Sequence, residues 1–291
     1  MKKIRVSVPY HITGFWIPIK TPSLLTTGSL GAGIVLDSRV VLEYTSEERN
    51  STVNIDKTSI DALKLLPSSI SVDHFVRHTN IIDIYTLGEG YGASGARALA
   101  FSITYSILNR LSLCSAGQAA HVAEVLNGTG FADVLAEYTG KGLVVRLSPG
   151  APCIGKTDII PIKRFYVITA PLGKLSTIEM HAAYGYKIAV HGYRAYREFI
   201  ENPCIENFLE KARYFSTAVG FMSHDLDSQL REELKSFIAK GIVIGYFIKK
   251  KLFVMLLEDI DEEVIEKITK IIKVKPRIDR IGYRGIEVEI I

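Results

Sequence analysis

Cysteine is scarce in this chain, with Cys114, Cys153 and Cys204 the three among 291 residues. An odd number spread so widely predicts neither a disulfide framework nor a Cys-based zinc site, and it points to a reducing, intracellular setting. Long apolar runs are also missing. Nothing approaches the roughly 18 consecutive apolar residues of a membrane span. Lys2 and Lys3 precede an apolar stretch, but Pro9, His11, Thr13 and Gly14 interrupt it before it forms a signal-peptide core. A cytoplasmic protein is expected. No charge of one sign dominates either: the net charge of +4 suits an anionic ligand and does not by itself imply nucleic acid. Tandem repeats and low-complexity tracts are lacking.

What is present is the composition of a globular protein, 47% hydrophobic and 23% charged. The length predicts two lobes of α+β class, residues 1–160 and 161–291. Residues 4–9 alternate as a strand that Pro9 ends, a loop passes through His11 and Gly14, and the turn-rich residues 26–33 lead into a hairpin. Helices are expected over 94–111, from Ser115 with Gln118 completing its cap, and over 132–138. Strands follow at 142–147 and 164–169. The second half predicts helices over 205–220, 227–239 and 262–272, a hairpin of 242–248 with 252–257 turning at Lys249–Lys251, and a last strand over 285–291.

The most informative stretch is Gly88-Glu-Gly-Tyr-Gly-Ala-Ser-Gly-Ala96, which runs through Arg97 into the first long helix. Glycines let successive N–H groups converge on an anion without Cβ obstruction, and a helix N-terminus adds free donors. Polyphosphate fits. No Lys-Ser or Lys-Thr follows, so this is not a P-loop; Gly90, Gly92 and Gly95 match the dinucleotide-binding spacing, but no acid lies at the required distance downstream. Ser94 reads as a hard oxygen ligand for phosphate-bound Mg²⁺ or as an N-cap. Glu124 reads as a second ligand or a solvated surface residue. Asp133, after Gly128-Thr-Gly130, reads as a carboxylate that orients a reacting hydroxyl or as a helix cap.

Taken together, residues 88–96 and Gly128-Thr-Gly-Phe-Ala-Asp133 resemble two motifs of the GHMP kinase superfamily. Pro9-Tyr-His-Ile-Thr-Gly-Phe15, Gly28-Ser-Leu-Gly-Ala-Gly33, His121-Val-Ala-Glu124 and Arg146-Leu-Ser-Pro-Gly-Ala-Pro152 are similar, in the same order, to stretches of the archaeal pantoate kinases. That resemblance covers residues 4 to 155. It implies a two-lobed α+β fold and a cytoplasmic kinase that uses ATP and Mg²⁺ to phosphorylate the primary hydroxyl of pantoate for coenzyme A synthesis, with a homodimer as the family-based expectation. It puts Gly88, Gly90, Gly92, Ala93, Ser94 and Gly95 at the phosphates, Ser94 and Glu124 at Mg²⁺, and Asp133 at the hydroxyl. Two departures accompany it. Leu30 stands where the family often has arginine, leaving Arg146 and His11 as candidates for the substrate carboxylate. The third family motif is reduced to Gly245 within residues 243–248, so the resemblance supplies no contact from the second lobe. A homoserine- or mevalonate-type kinase and a non-catalytic nucleotide-binding relative are the competing expectations.

Other signals stay bland. His74 and His78 share a helical spacing but have no third metal ligand. Lys273, Lys275, Arg277, Arg280 and Arg284 are interspersed with apolar residues, as on a solvated face. Tyr184, Tyr186, Tyr193 and Tyr196 read as packing or interface residues.

Overall fold

The computed structural model describes residues 3–47 and 53–291. Its chain order is β1 (Lys3–Ile19), β2 (Gly28–Thr45), α1 (Lys57–Lys64), α2 (Val72–Arg77), β3 (Thr79–Ile82), α3 (Ala93–Leu108), α4 (Leu113–Asn127), α5 (Asp133–Thr139), β4 (Leu143–Ser148) and β5 (Lys156–Ile160). There follow β6 (Tyr166–Pro171), α6 (Thr177–Glu201), α7 (Ile205–Val219), α8 (His224–Ala239), β7 (Val243–Lys249), β8 (Leu252–Leu257), α9 (Glu262–Ile272), β9 (Arg277–Arg280) and β10 (Glu287–Ile290). One sheet has the order β10-β1-β2-β4-β5, with β3 also pairing β2; the other is β7-β8-β6-β9. The last strand therefore returns to the first sheet. No helix among the described residues is long and apolar enough to cross a membrane.

Pro9 does not end the first strand. β1 runs on to Ile19, and its register against β2 slips between Pro9 and His11 and again between Thr13 and Phe15. A bulge accommodates a residue that cannot donate to the ladder, which is why the expected break is absent. Likewise residues 28–33 belong to β2 and not to a turn. Gly31 lies opposite Arg146 of β4, and a Cβ there would meet the Arg146 Nη2 at 2.7 Å. The glycine makes room for a buried guanidinium.

α3 is buried on nearly every side, packed against β1, β2, α1, α4 and α5. α4 starts earlier than expected: Ser112, not Ser115, is the N-cap, its Oγ accepting from the Ser115 N–H at 3.1 Å. α6, unanticipated from sequence, is capped by the Ser176–Glu179 box and buries Met180, Ile188, Gly192, Ala195 and Phe199. Small residues on that face bring the helix against the β1 backbone at Trp16. α2 carries His74, and His78 caps its end with Nδ1 on the His74 carbonyl at 2.7 Å; among the described residues no group of three or more His, Cys, Asp or Glu converges for a metal.

The cysteine expectation is overturned. Cys114 at the start of α4 is disulfide-bonded to Cys153 in the segment after β4, leaving Cys204 free. The partners are 39 residues apart in sequence, but the packing of that segment against α4 brings their Cα atoms to 5.8 Å. The argument for a reducing compartment from unpaired thiols loses its premise.

Candidate active site

The glycine stretch folds as expected into the mouth of α3. Gly92 is the N-cap in the left-handed conformation, with φ 74°, so the chain turns sharply into the helix, and no side chain caps its first amides. The main chain is pinned to β1 by the His11 N–H, which donates to the Tyr91 carbonyl at 3.1 Å. A cavity of about 380 Å³ opens over this turn, lined by Gly88, Gly90, Gly92, Ala93, Ser94, Gly95, Glu124 and Asp133. The residues assigned to phosphate and metal are thus brought together.

Under the loop lies a carboxyl that sequence reading missed. Glu137 of α5 is fully buried, with neither oxygen partnered by another described residue. A Cβ at Gly95 would meet its Oε2 at 2.6 Å, and one at Gly92 would collide with Oε1. Burial, reinforced by the charges of Asp133 and Glu124, pushes this carboxyl well above the usual carboxylate range.

Ser94, in the first turn of α3, donates to Glu124 Oε1, which also receives the Thr129 hydroxyl at 2.6 Å. Glu124 is only 2% exposed. Its pKa is pushed up to about 7 by burial, against those two hydrogen bonds and with the charges of Asp133 and Asp56 adding to the rise. Carboxylate and hydroxyl oxygens are the hard donors that Mg²⁺ accepts, and Mg²⁺ in phosphoryl-transfer sites takes few protein oxygens.

Asp133 opens α5 at the point where the large cavity meets a smaller one of about 40 Å³. Oδ1 accepts from His11 Nδ1 at 3.0 Å and Thr13 Oγ1 at 3.2 Å, and Lys249 Nζ lies 3.6 Å away. Burial alone would raise this carboxyl. The Lys249 ammonium, the His11 hydrogen bond and the Arg146 charge outweigh it and hold Asp133 far below the usual carboxylate range. His11 is itself lowered to about 4, chiefly by burial, despite Asp133. It is therefore a neutral donor near pH 7, and its assignment to substrate meets a different geometry: it sits behind Asp133 and does not line the small cavity.

Arg146 does line it. The side chain rises from β4 fully buried, 1% exposed, with Nε and Nη1 unpartnered among the described residues. Burial lowers its pKa to about 10, Asp133 opposing. Ser29 and Thr13 supply hydroxyls beside it, and Trp16, Phe131 and Met180 supply an apolar wall.

Lys249 and Lys250, expected only as turn residues, face both cavities. Lys250 donates to Thr177 Oγ1 at 2.8 Å, and burial, then the neighbouring Lys249, lowers its pKa to about 8. The available signal was a run of lysines at the place of the missing motif.

No family model matches the chain. It is 33% identical over 236 residues to the pantoate kinase of Methanocaldococcus jannaschii, a match spanning 78% of this chain and 84% of that protein. It is 31% identical over 248 residues to the pantoate kinase of Thermococcus kodakarensis, spanning 79% and 80%. Among solved structures, a phosphotransferase related to the CoA biosynthesis pathway aligns with TM-score 0.77 and 24% identity over 99% of this chain and 98% of that one. A mevalonate kinase from methicillin-resistant Staphylococcus aureus aligns with TM-score 0.61 and 17% identity over 97% and 100%. At such identities these structures establish the fold, which is the α+β architecture of the GHMP kinases.

Proposed function

Because the chain belongs to the pantoate kinase family, we propose that it transfers the γ-phosphoryl group of ATP to the primary hydroxyl of pantoate, giving 4-phosphopantoate for coenzyme A biosynthesis. The observation that carries this reading is the meeting of two unlike cavities at one carboxylate. On one side of Asp133 glycine amides and a helix N-terminus suit polyphosphate; on the other a buried guanidinium faces a small cavity with an apolar wall.

In this reading the amides of residues 88–95 hold the triphosphate, and Arg146 takes the pantoate carboxylate. Trp16, Phe131 and Met180 receive the geminal methyl groups. Homoserine would bring an ammonium toward Arg146, Lys249 and Lys250, so like charges disfavour it. Asp133 Oδ1 is occupied by its donors, which leaves Oδ2 for the reacting hydroxyl. A carboxyl so acidic is a weak base. It orients the hydroxyl and takes its proton late, as the new O–P bond forms, in keeping with a reaction driven by positioning and electrostatics. His11 and Thr13 hold the carboxylate in that pose. Ser94 and Glu124 would hold Mg²⁺, which when bound neutralises charge on the phosphate oxygens. Dependence on ATP fits a cytoplasmic location.

The test is ADP release by the purified protein with ATP and Mg²⁺, comparing pantoate, homoserine, mevalonate and no acceptor. Pantoate-dependent release is expected. Turnover with another acceptor alone would overturn the substrate, and nucleotide binding without turnover toward any of them would overturn the kinase reading.

A further inference from the structure

We propose that Lys249 is a catalytic residue of the transfer, its ammonium bridging Asp133 and the migrating phosphoryl group, and that the β7–β8 hairpin delivers it in place of the missing third motif. This rests on the pantoate kinase reading above.

Lys249 ends β7 and is 4% exposed. A lysine buried to this degree is expensive unless an anion compensates it. Its anionic neighbour, Asp133 Oδ1, stands at 3.6 Å, beyond a close hydrogen bond, and already accepts from His11 and Thr13. The ammonium therefore keeps donor capacity for another oxygen. It lines both the glycine-loop cavity and the acceptor cavity, so an oxygen passing from one to the other passes this nitrogen. Lys250 sits beside it and donates to the neutral hydroxyl of Thr177. Lys250, half-buried, faces the same cleft, and Asp133, Glu124 and Glu137 are carboxyls near the pair.

The hairpin is built to hold this position. Ser216 of α7 accepts from the Ile248 N–H at 3.0 Å, and the Lys251 carbonyl receives the Leu172 N–H at 2.7 Å. Leu252 abuts the glycine loop, its Cβ 3.1 Å from where a Cβ of Gly90 would lie. The turn places Lys250 in the left-handed conformation at φ 58°, where Gly or Asn is the usual choice.

In the step itself, a bond forms between the pantoate hydroxyl oxygen and Pγ, the bond from Pγ to the bridging oxygen breaks, and its electron pair leaves with ADP. The hydroxyl proton passes to Asp133 Oδ2. Lys249 donates to the equatorial oxygens during this passage and so stabilises the charge that develops on them.

The experiment is steady-state pantoate-dependent ADP release by wild type, Lys249→Met and Lys249→Arg, with urea unfolding of each. Lys249→Met is expected to lose about 10²- to 10³-fold in kcat. Its KM values for ATP and pantoate should stay within about 5-fold, because a group acting only in the transition state moves kcat alone. Lys249→Arg should recover at least about 10-fold of the loss, which a purely structural lysine would not show. A Lys249→Met enzyme with kcat within about 5-fold of wild type, or with its whole loss in KM, overturns the assignment. Should Lys249→Met not fold, an Arg variant at or below the background rate overturns it. A wild type silent toward pantoate would instead overturn the reading beneath it.

Discussion

Replacing Arg146 with methionine should make the protein more stable and the enzyme nearly useless. The guanidinium is fully buried, with Nε and Nη1 unpartnered among the described residues, and its pKa falls from 12.5 to about 10. At 1.36 kcal/mol per unit, holding that charge in the folded protein costs roughly 3 kcal/mol relative to the unfolded chain. Methionine has similar length and no charge, and replacing buried charges by apolar side chains commonly stabilises by roughly 1–4 kcal/mol. A gain of about 1–3 kcal/mol is therefore expected from urea unfolding without ligands. Losing one partner of a buried carboxylate pair costs about 2–5 kcal/mol, so KM for pantoate should rise at least ~30-fold while KM for ATP hardly moves. Both measurements use the same two proteins. A variant less stable than wild type by more than about 1 kcal/mol would mean that the guanidinium is satisfied within the fold. A pantoate KM within about 3-fold of wild type would remove the substrate carboxylate from Arg146.

Further outcomes follow from the same geometry. Asp133→Asn should lose at least about 10³-fold in kcat and still bind nucleotide; full activity would end the role given to Asp133. Gly92→Ala forces a Cβ into a left-handed N-cap, toward Glu137 and 3.0 Å from the His11 carbonyl. About 1–2 kcal/mol of backbone strain alone is expected, together with a rise of about 10-fold or more in KM for ATP; an unchanged KM would take the loop away from the phosphates. Lys250 titrates near 8 in the fold and near 10.4 unfolded, so the unfolded chain binds more protons between those values and stability rises with pH across them. After allowance for partial exposure the rise is on the order of 1–2 kcal/mol, and Lys250→Met should lack it in paired urea titrations at pH 7 and 10.

The part of the site that was legible is the part carried by short contiguous segments. Residues 88–96 announce a backbone that must approach an anion, and Gly128 to Asp133 announces a carboxylate presented from a turn. Glu124 and Arg146 lie within or beside such segments, and the fold class followed from the alternation of strand and helix patterns. Lys249 was illegible because its meaning depends on Asp133, more than a hundred residues earlier in the chain, and a Lys-Lys-Lys run between two apolar strands reads as a solvated turn. Glu137 was hidden because nothing local separates a buried acid on a short helix from an exposed one. α6 escaped notice because its buried stripe is thin and built partly from Gly192 and Ala195. Pro9 misled because a bulge, which depends on the partner strand, lets a strand continue past a residue that lacks an N–H. The Cys114–Cys153 pair shows the same dependence on tertiary distance.

The return of β10 to the first sheet bears on how the protein comes to be folded. Its partner is β1, and the Ser7–Glu287 hydrogen bond across that pair joins residues 280 apart. During synthesis β1 emerges before any other described strand, and β10 after every other described element. One edge of the first sheet is therefore left open until the second sheet has been made, a row of unpaired amides and carbonyls of the kind that recruits foreign strands. Contacts of such separation also slow folding, since loop closure comes before the pairing that rewards it. A nascent chain stalled before residue 287 is expected to be the species most prone to aggregate and most in need of a chaperone.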